Sequence, residues 1–240
     1  MRTLAARERT ETANWRLAAL LAFIAGMADV SGYLSLGQFT AHMSGVVATL
    51  ALRAPLSSLT LLAPVLSALL SFTFGSAMTA LLVNWVRQHH GESEYALPLL
   101  LESAALFSAA LLAHRLPPWA VIGLLAFSMG LQNATISKLS NKEIRTTHVT
   151  GMVTDIGIEL GRALYRNGSA ATSTPINMRP RHLALLLLLV GLFFAGGCLA
   201  ASLFHLTGLW LLASLSLLLI LIAIFPITRD LRHTYVPPQA

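Results

Sequence analysis

Long apolar stretches separated by short polar connectors dominate the chain. A hydrocarbon core about 30 Å thick needs roughly twenty helical residues to cross it. Pro98 and Pro117-Pro118 stand at the starts of two such stretches, where a missing amide proton costs no intrahelical bond, and Pro226 is expected to help end the last. The pattern predicts six transmembrane helices, at about residues 17–36, 60–86, 96–113, 117–137, 182–204 and 208–227.

Two shorter segments carry the same polar motif. Residues 39–50 read FTAHMSGVVATL and residues 145–156 read RTTHVTGMVTDI, so both contain Thr-x-His-x-(Ser/Thr)-Gly-x-Val. Residues 40–52 are too short to span, and residues 147–164 carry three charged side chains. If both segments crossed the membrane, the chain would have eight spans instead of six.

The distribution of Lys and Arg favours six spans. Cytoplasmic loops of membrane proteins are enriched in these residues. With six spans and the N-terminus inside, only Arg53 and Arg115 of the sixteen Lys and Arg residues lie outside. Eight spans would instead place Arg87, Lys138 and two further basic residues outside, so that only twelve of the sixteen lie inside. We therefore expect the N- and C-termini to be cytoplasmic.

The composition agrees with a membrane protein. Of the 240 residues 55% are hydrophobic and only 11% are charged, whereas soluble domains carry about a quarter charged residues. The net charge of +6 comes from loop residues between apolar blocks, so we expect no nucleic-acid partner. The basic segment 1–16 precedes an uncleaved first helix, and Cys198 is predicted to be a small buried hydrophobe.

The repeated motif extends into the helices before it. FIAGMAD at 23–29 aligns with FSMGLQN at 127–133, which matches Asp29 with Asn133. The chain therefore divides into a first repeat, 17–113, a second repeat, 114–228, and a cytoplasmic tail, 229–240. Three spans per repeat is an odd number, so the second copy enters inverted. The predicted fold is an all-α integral membrane protein with two inverted three-helix repeats, each with a short re-entrant helix.

Two stretches resemble a known family. GMADVSGYLSLGQFTAHMSG and SMGLQNATISKLSNKEIRTTHVTGMVTDIGIELGR are similar to the YoaK family of bacterial multipass membrane proteins, which is built around a domain of unknown function. The resemblance covers essentially the whole chain and implies about six helices in a bacterial inner membrane. This chain departs from the family pattern where Val46, instead of Asn, follows Gly45.

Polar residues at membrane depth are the candidates for chemistry. A carboxylate inside a span must be paired, protonated or hydrated. Asp29 is therefore either a proton or cation site or a packing hydrogen bond to the matching helix. Glu102 either lines the wall of a cavity or makes an interhelical hydrogen bond. Histidines could relay protons or cap helix ends. The predicted substrate site, near the midplane, comprises Asp29, His42, Ser44, Gly45, Gln132, Asn133, His148, Thr150, Gly151 and Asp155, with Ser44 and Thr150 as helix caps.

A second polar group lies beyond the repeated motif. Asp155, Glu159 and Arg162 share one helix face, which suggests an internal ion pair on a cytoplasmic helix.

These features favour a small-solute transporter or channel. A non-transporting scaffold, regulator or assembly factor is the alternative. We expect no enzymatic activity, because the chain shows no nucleophile with a base and no metal cluster, and we expect neither a cofactor nor a metal. The expected partners are membrane lipids and an unidentified small solute or ion, and a homo-oligomer stays open.

Overall fold

The computed structural model describes residues 11–56, 58–89, 95–139, 145–165 and 176–234. Within these ranges the chain is helical and contains no strand. One 3-10 turn, Ala54–Leu56, joins α2 to α3, and another, Gly208–Trp210, joins α7 to α8. The helices are α1 (Glu11–Leu36), α2 (Met43–Arg53), α3 (Leu59–His89), α4 (Ala96–Leu112), α5 (Pro118–Leu139), α6 (Val149–Leu164), α7 (Pro180–Thr207) and α8 (Leu211–Thr234).

The six predicted stretches are all helical, and the two short polar segments form α2 and α6. Four helical stretches in the described chain are long and apolar enough to cross a membrane: Asn14–Leu36, Leu59–His89, Pro118–Lys138 and Pro180–Ile224. The last of these contains α7, the 3-10 turn and most of α8. Met43–Leu56 and Ala96–Leu112 are shorter apolar helices. The helices therefore have the character of a multipass membrane protein.

Two helix pairs form the close contacts of the bundle, and α1 packing along α7 is the first. A Cβ on Gly26 would overlap the backbone carbonyl oxygen of Phe193, and a Cβ on Gly196 would overlap that of Phe23. The two backbones therefore touch where both glycines lack side chains. Small residues allow this approach, which strengthens van der Waals packing between helices in lipid.

The second close pair, α3 with α5, has the same construction. A Cβ on Gly75 would overlap the carbonyl oxygen of Phe127, and a Cβ on Gly130 would overlap that of Phe72. Each crossing thus pairs two Phe-x-x-Gly sequences, with each glycine against the opposite phenylalanine carbonyl. The sequence alignment already matches Gly26 with Gly130, and the structure places Gly196 and Gly75 in matching positions.

Helix α4 packs against α8 and α5 and completes the bundle. Ser103 Oγ lies 2.8 Å from Ser216 Oγ and donates to the Ser216 carbonyl oxygen at 3.0 Å. Large apolar side chains such as Leu59, Phe194 and Leu206 are exposed on the outside, as expected for surfaces that face lipid.

Two local predictions were wrong. Cys198 is exposed on α7 and not buried, because α1 covers the face of α7 that carries Gly196 and Gly197. Helix α8 continues through Pro226 to Thr234, so it runs past the predicted boundary at residue 228. A proline within a membrane helix is tolerated where neighbouring groups satisfy the freed carbonyl. Residues 1–10 and 235–240 of the predicted terminal segments lie outside the described residues.

Candidate functional site

The first polar turn joins α1 to α2 and begins at the glycine that ends α1. Gly37 has a φ of 68°, and its amide donates to the carbonyl oxygen of Tyr33 at 2.8 Å. Glycine adopts this left-handed conformation without steric cost and commonly ends a helix. The chain then reverses, and α2 starts immediately after His42, which has φ −93° and ψ 73°.

Asp29 holds this turn from within α1. Its Oδ1 accepts hydrogen bonds from the backbone amides of Thr40 at 2.7 Å and Ala41 at 2.8 Å. Both residues and the Asp29 side chain are buried. A carboxylate that accepts backbone amides makes strong, charge-assisted hydrogen bonds. The buried loop backbone thereby finds hydrogen-bond partners away from water.

His42 provides the second contact to this carboxylate. Its Nδ1 lies 2.7 Å from Asp29 Oδ2, and its side chain is 39% exposed. The ring packs between Phe39, at a centroid distance of 5.0 Å, and Phe193 of α7, at 6.3 Å. The hydrogen bond to the Asp29 carboxylate raises the pKa of the His42 imidazole above its ordinary value of 6.5, although partial burial opposes the rise.

An open recess of about 230 Å³ lies beside this pair, and we call it the first recess. Aromatic, polar and basic side chains form its wall. The wall includes Tyr33, Phe39, His42, Gly45, Thr49 and Arg53.

The second polar turn is held by amide side chains. Gln132 Nε2 donates to the carbonyl oxygen of Leu21 at 2.8 Å and to Thr146 Oγ1 at 3.3 Å. Thr147 Oγ1 donates to Asn133 Oδ1 at 2.6 Å. Where the first turn uses a carboxylate and a histidine, the second turn therefore uses neutral groups.

His148 matches His42 in its backbone but not in its ring. Its φ of −84° and ψ of 60° repeat those of His42, and α6 likewise starts at the next residue. The ring folds over the first turn of α6, where a Cβ on Gly151 would overlap it. Arg145 Nη1 lies 3.3 Å from His148 Nδ1. Position 133 of α5 carries an amide, so the His148 ring has no carboxylate there to pair with.

A larger recess of about 440 Å³ lies at this turn, and we call it the second recess. Its floor is apolar and comes from α7, with Leu185, Leu186 and Leu189. Polar side chains from three segments complete the wall. They include Arg145, His148, Thr150, Asp155 and His182.

The predicted site residues thus divide between two recesses and are not gathered in one. His42 and Gly45 line the first, with Asp29 buried behind His42, and His148, Thr150, Gly151 and Asp155 line the second. Gln132 and Asn133 hold the second turn from behind. Leu21, which Gln132 contacts, precedes Asp29 by eight residues, or about 12 Å along a helix. The two turns therefore lie at different levels along α1.

Two detailed predictions about these turns were wrong. The partners of Asp29 come from its own turn, and neither Gln132 nor Asn133 is among them. Ser44 and Thr150 do not cap the short helices, because α2 and α6 start one residue before them, after the histidines. Ser44 is exposed within the first turn of α2.

The ion pair predicted on α6 is confirmed. Arg162 Nη1 lies 2.6 Å from Glu159 Oε1, and the amide of Arg179 donates to Glu159 Oε2 at 2.8 Å. The Arg179 amide, followed by the two guanidinium groups, holds the pKa of the Glu159 carboxyl below its ordinary range. This contact ties α6 to the start of α7. Asp155, by contrast, faces the second recess.

Glu102 is the other carboxyl within a helix. It is fully buried in α4, and neither of its oxygens has a hydrogen-bond partner among the described residues. No group of three His, Cys, Asp or Glu side chains within the described ranges is placed to hold a metal ion.

Arg53 and His182 line the recesses and Phe193 contacts His42, although none of the three was predicted as a site residue. Arg53 appeared in the sequence only as a loop charge, and His182 and Phe193 appeared only as parts of a membrane helix. His182 offered a weak signal, because it is a polar residue just after Pro180 at a predicted helix start. Phe193 offered none, since its contact with His42 depends on how α7 crosses α1.

Comparisons with known proteins agree with the architecture. The family model described as "Protein of unknown function (DUF1275)" matches residues 17–225. The chain is 33% identical over 153 residues to the "UPF0700 transmembrane protein YoaK" of Bacillus subtilis (strain 168), which covers 62% of this chain and 68% of that protein. No solved structure matches the chain.

Proposed function

Because the chain belongs to the family described as "Protein of unknown function (DUF1275)", a description that assigns no activity, we propose a function from the geometry of its two turns. The protein is a small-solute transporter or channel, built from two inverted three-helix repeats that supply six membrane spans. The two histidine turns and their recesses form its solute pathway.

One observation carries this proposal. Two short helices start directly after a histidine with nearly the same backbone conformation, and each opens onto its own recess. Helices interrupted at membrane depth, with polar turns beside a cavity, are the usual binding elements of secondary transporters. In a protein that served only as a scaffold, such turns would need neither cavities nor a buried charge.

The helix crossings support the duplication. The α1–α7 and α3–α5 crossings use the same pair of Phe-x-x-Gly sequences in the same arrangement. If α1 corresponds to α5 and α3 to α7, a two-fold rotation exchanges the two crossings. Each crossing then joins one helix of each repeat, so a movement of one repeat is transmitted to the other.

Inversion of the repeats allows the two recesses to act one after the other in transport. The first recess lies near the end of α1, and the second lies near the end of α5, at a different depth. In an inverted arrangement they open toward opposite sides of the membrane, and rocking of the repeats exposes them alternately. The amino ends of α2 and α6 favour an anionic group or a carbonyl oxygen on the solute.

The topology can be tested with single cysteines. In a Cys198→Ala background, Gln38→Cys marks the first turn and Asn141→Cys marks the connector before the second, which lies outside the described residues. A membrane-impermeant thiol reagent on intact bacteria should label position 38, and position 141 only after lysis. Labelling of both from outside would reject the inverted repeat and favour eight spans. This assay also tests the bacterial inner membrane as the location, with cytoplasmic termini.

Transport itself requires a flux measurement. Proteoliposomes containing the protein are screened with labelled small organic acids, amino acids and inorganic anions. Asp29→Asn, His42→Ala and His148→Ala should each lower the rate for the transported solute, with Gly191→Ala as a control on an open helix surface. A rate indifferent to all three site variants would reject this pathway. No flux of any solute, together with tightly co-purifying proteins, would favour a scaffold.

A further inference from the structure

We propose that the His42–Asp29 pair is the proton-binding site of this protein and that the second turn has no equivalent. The inference that this pair binds a proton rests on the geometry of the pair. The inference that the proton drives solute movement rests on the proposed function.

One of the two carboxylate oxygens of Asp29 contacts the histidine and accepts from neither of the two amides. Asp29 Oδ1 is occupied by the amides of Thr40 and Ala41, while Oδ2 faces only His42 Nδ1 at 2.7 Å. Asp29 is fully buried, and no Lys or Arg in the described chain forms an ion pair with it. A buried carboxylate needs a counter-charge, so the pair retains one shared proton.

The histidine connects this carboxylate to the water of the first recess. Its side chain is 39% exposed, whereas that of Asp29 is 1% exposed, so a proton reaches Asp29 by way of the imidazole. The other titratable or charged groups on the recess wall are Tyr33 of α1 and Arg53 of α2. Arg53 donates to the Leu61 carbonyl of α3.

Helix α7 contributes an aromatic ring to the surroundings of His42 and no charge. That ring belongs to Phe193. Asp29 is therefore the opposite charge that His42 contacts, and Arg53 is the other charged group on the recess wall.

Loss of the shared proton destabilises the first turn. The site would then hold an unpaired buried anion supported by two amides, which membrane interiors disfavour. The His42 ring contacts Phe193, whose carbonyl oxygen lies against Gly26 at the α1–α7 crossing. Proton release at His42 therefore acts on the crossing that joins the two repeats.

The second turn has lost the acidic member of the pair. Asn133 stands where Asp29 stands in the first repeat, and an amide takes no charge. His148 is exposed, and its Nδ1 lies 3.3 Å from a guanidinium nitrogen of Arg145. The second turn therefore lacks the carboxylate that pairs with the histidine of the first turn.

Nuclear magnetic resonance of ring-labelled histidines measures the titration of His42 without any transport assay. The full chain in lipid nanodiscs is titrated, with His42→Gln and His148→Gln variants used for assignment. We expect the His42 midpoint to lie above the ordinary value of 6.5, and Asp29→Asn to lower it toward that value. The asparagine keeps an acceptor for the two amides, so the turn retains its support.

The wild-type midpoint of His42 needs no variant and decides the matter even if Asp29→Asn misfolds. A wild-type His42 midpoint at or below 6.5, or a midpoint unchanged by Asp29→Asn in a folded protein, would overturn the proposal. Proton flux in proteoliposomes, read with an entrapped pH dye, separates the two inferences. A high His42 midpoint without proton flux contradicts proton-driven solute movement and leaves the proton site standing. Flux with an unshifted His42 contradicts the proton site alone.

Discussion

The helix crossings offer the sharpest test of the packing, through the change Gly130→Ala. A Cβ at this position would overlap the Phe72 carbonyl oxygen and would lie 2.9 Å from its carbonyl carbon and 3.0 Å from its Cα. All three atoms belong to the backbone of α3, so no side-chain rotation relieves the overlap. Gly191 on α7 is the matched control, because nothing lies within 4 Å of a Cβ there.

The expected magnitude follows from these contacts. Carbon atoms pack best at about 3.5–4.0 Å, so α3 and α5 must separate by roughly 0.5–1 Å at the crossing. Overpacking of this kind destabilises by about 1–3 kcal/mol. Separation also stretches the hydrogen bond from Ser76 Oγ to the Gly130 carbonyl, 3.2 Å long. Against this, alanine gains about 1 kcal/mol over glycine in a helix interior. We expect a net loss of about 1–2 kcal/mol.

Reversible unfolding in mixed detergent micelles, followed by circular dichroism, measures the change in the free energy of unfolding. Gly130→Ala should unfold at a lower denaturant fraction than the wild type, and Gly191→Ala should unfold at an equal or slightly higher one. If the two variants behaved alike, the close backbone contact between α3 and α5 would be refuted.

Two further predictions concern polar contacts. Gln132→Met should change stability little, because it removes the bonds to the Leu21 carbonyl and Thr146 Oγ1 but also a buried Oε1 that has no partner in the described chain. A loss above about 2 kcal/mol in the same unfolding assay would contradict this. Glu159→Gln should remove a pH-dependent stabilisation. The pKa of Glu159 is lowered by Arg179 and Arg162, so its contribution is present above the ordinary value of 4.5 and is lost as pH falls through the folded-state pKa. Melting temperatures of wild type and variant should therefore differ at neutral pH and converge in acid; a constant difference would contradict the ion pair.

The helices and the family were accessible from the sequence. Runs of about twenty apolar residues predict helices in a bilayer because backbone groups must pair within the segment. Each of the six predicted stretches is helical, and the matched family model spans residues 17–225. The repeated motif also identified both polar turns, since a histidine followed two residues later by Ser-Gly or Thr-Gly stands out in an apolar chain.

The side-chain partners were not accessible in this way. Asp29 and Asn133 align, and the sequence suggested that they face each other across a shared site. Instead, Asp29 binds the backbone of its own turn, because the reversal after Gly37 brings Thr40 and Ala41 back along α1. A carboxylate can accept from both amides and still contact His42, whereas Asn133 accepts from a threonine hydroxyl and leaves His148 to Arg145.

Local chemistry along the chain therefore determined where helices form, where they break and which polar residues accompany each break. Only the tertiary structure decided which helices touch, because Phe-x-x-Gly sequences are compatible with many pairings until two backbones meet at van der Waals distance. The crossing of α1 with α7 also brings Phe193 to His42, from a position 151 residues further along the chain. Hydrophobic periodicity carries no information about such a contact, since it depends on the positions of two helices in space.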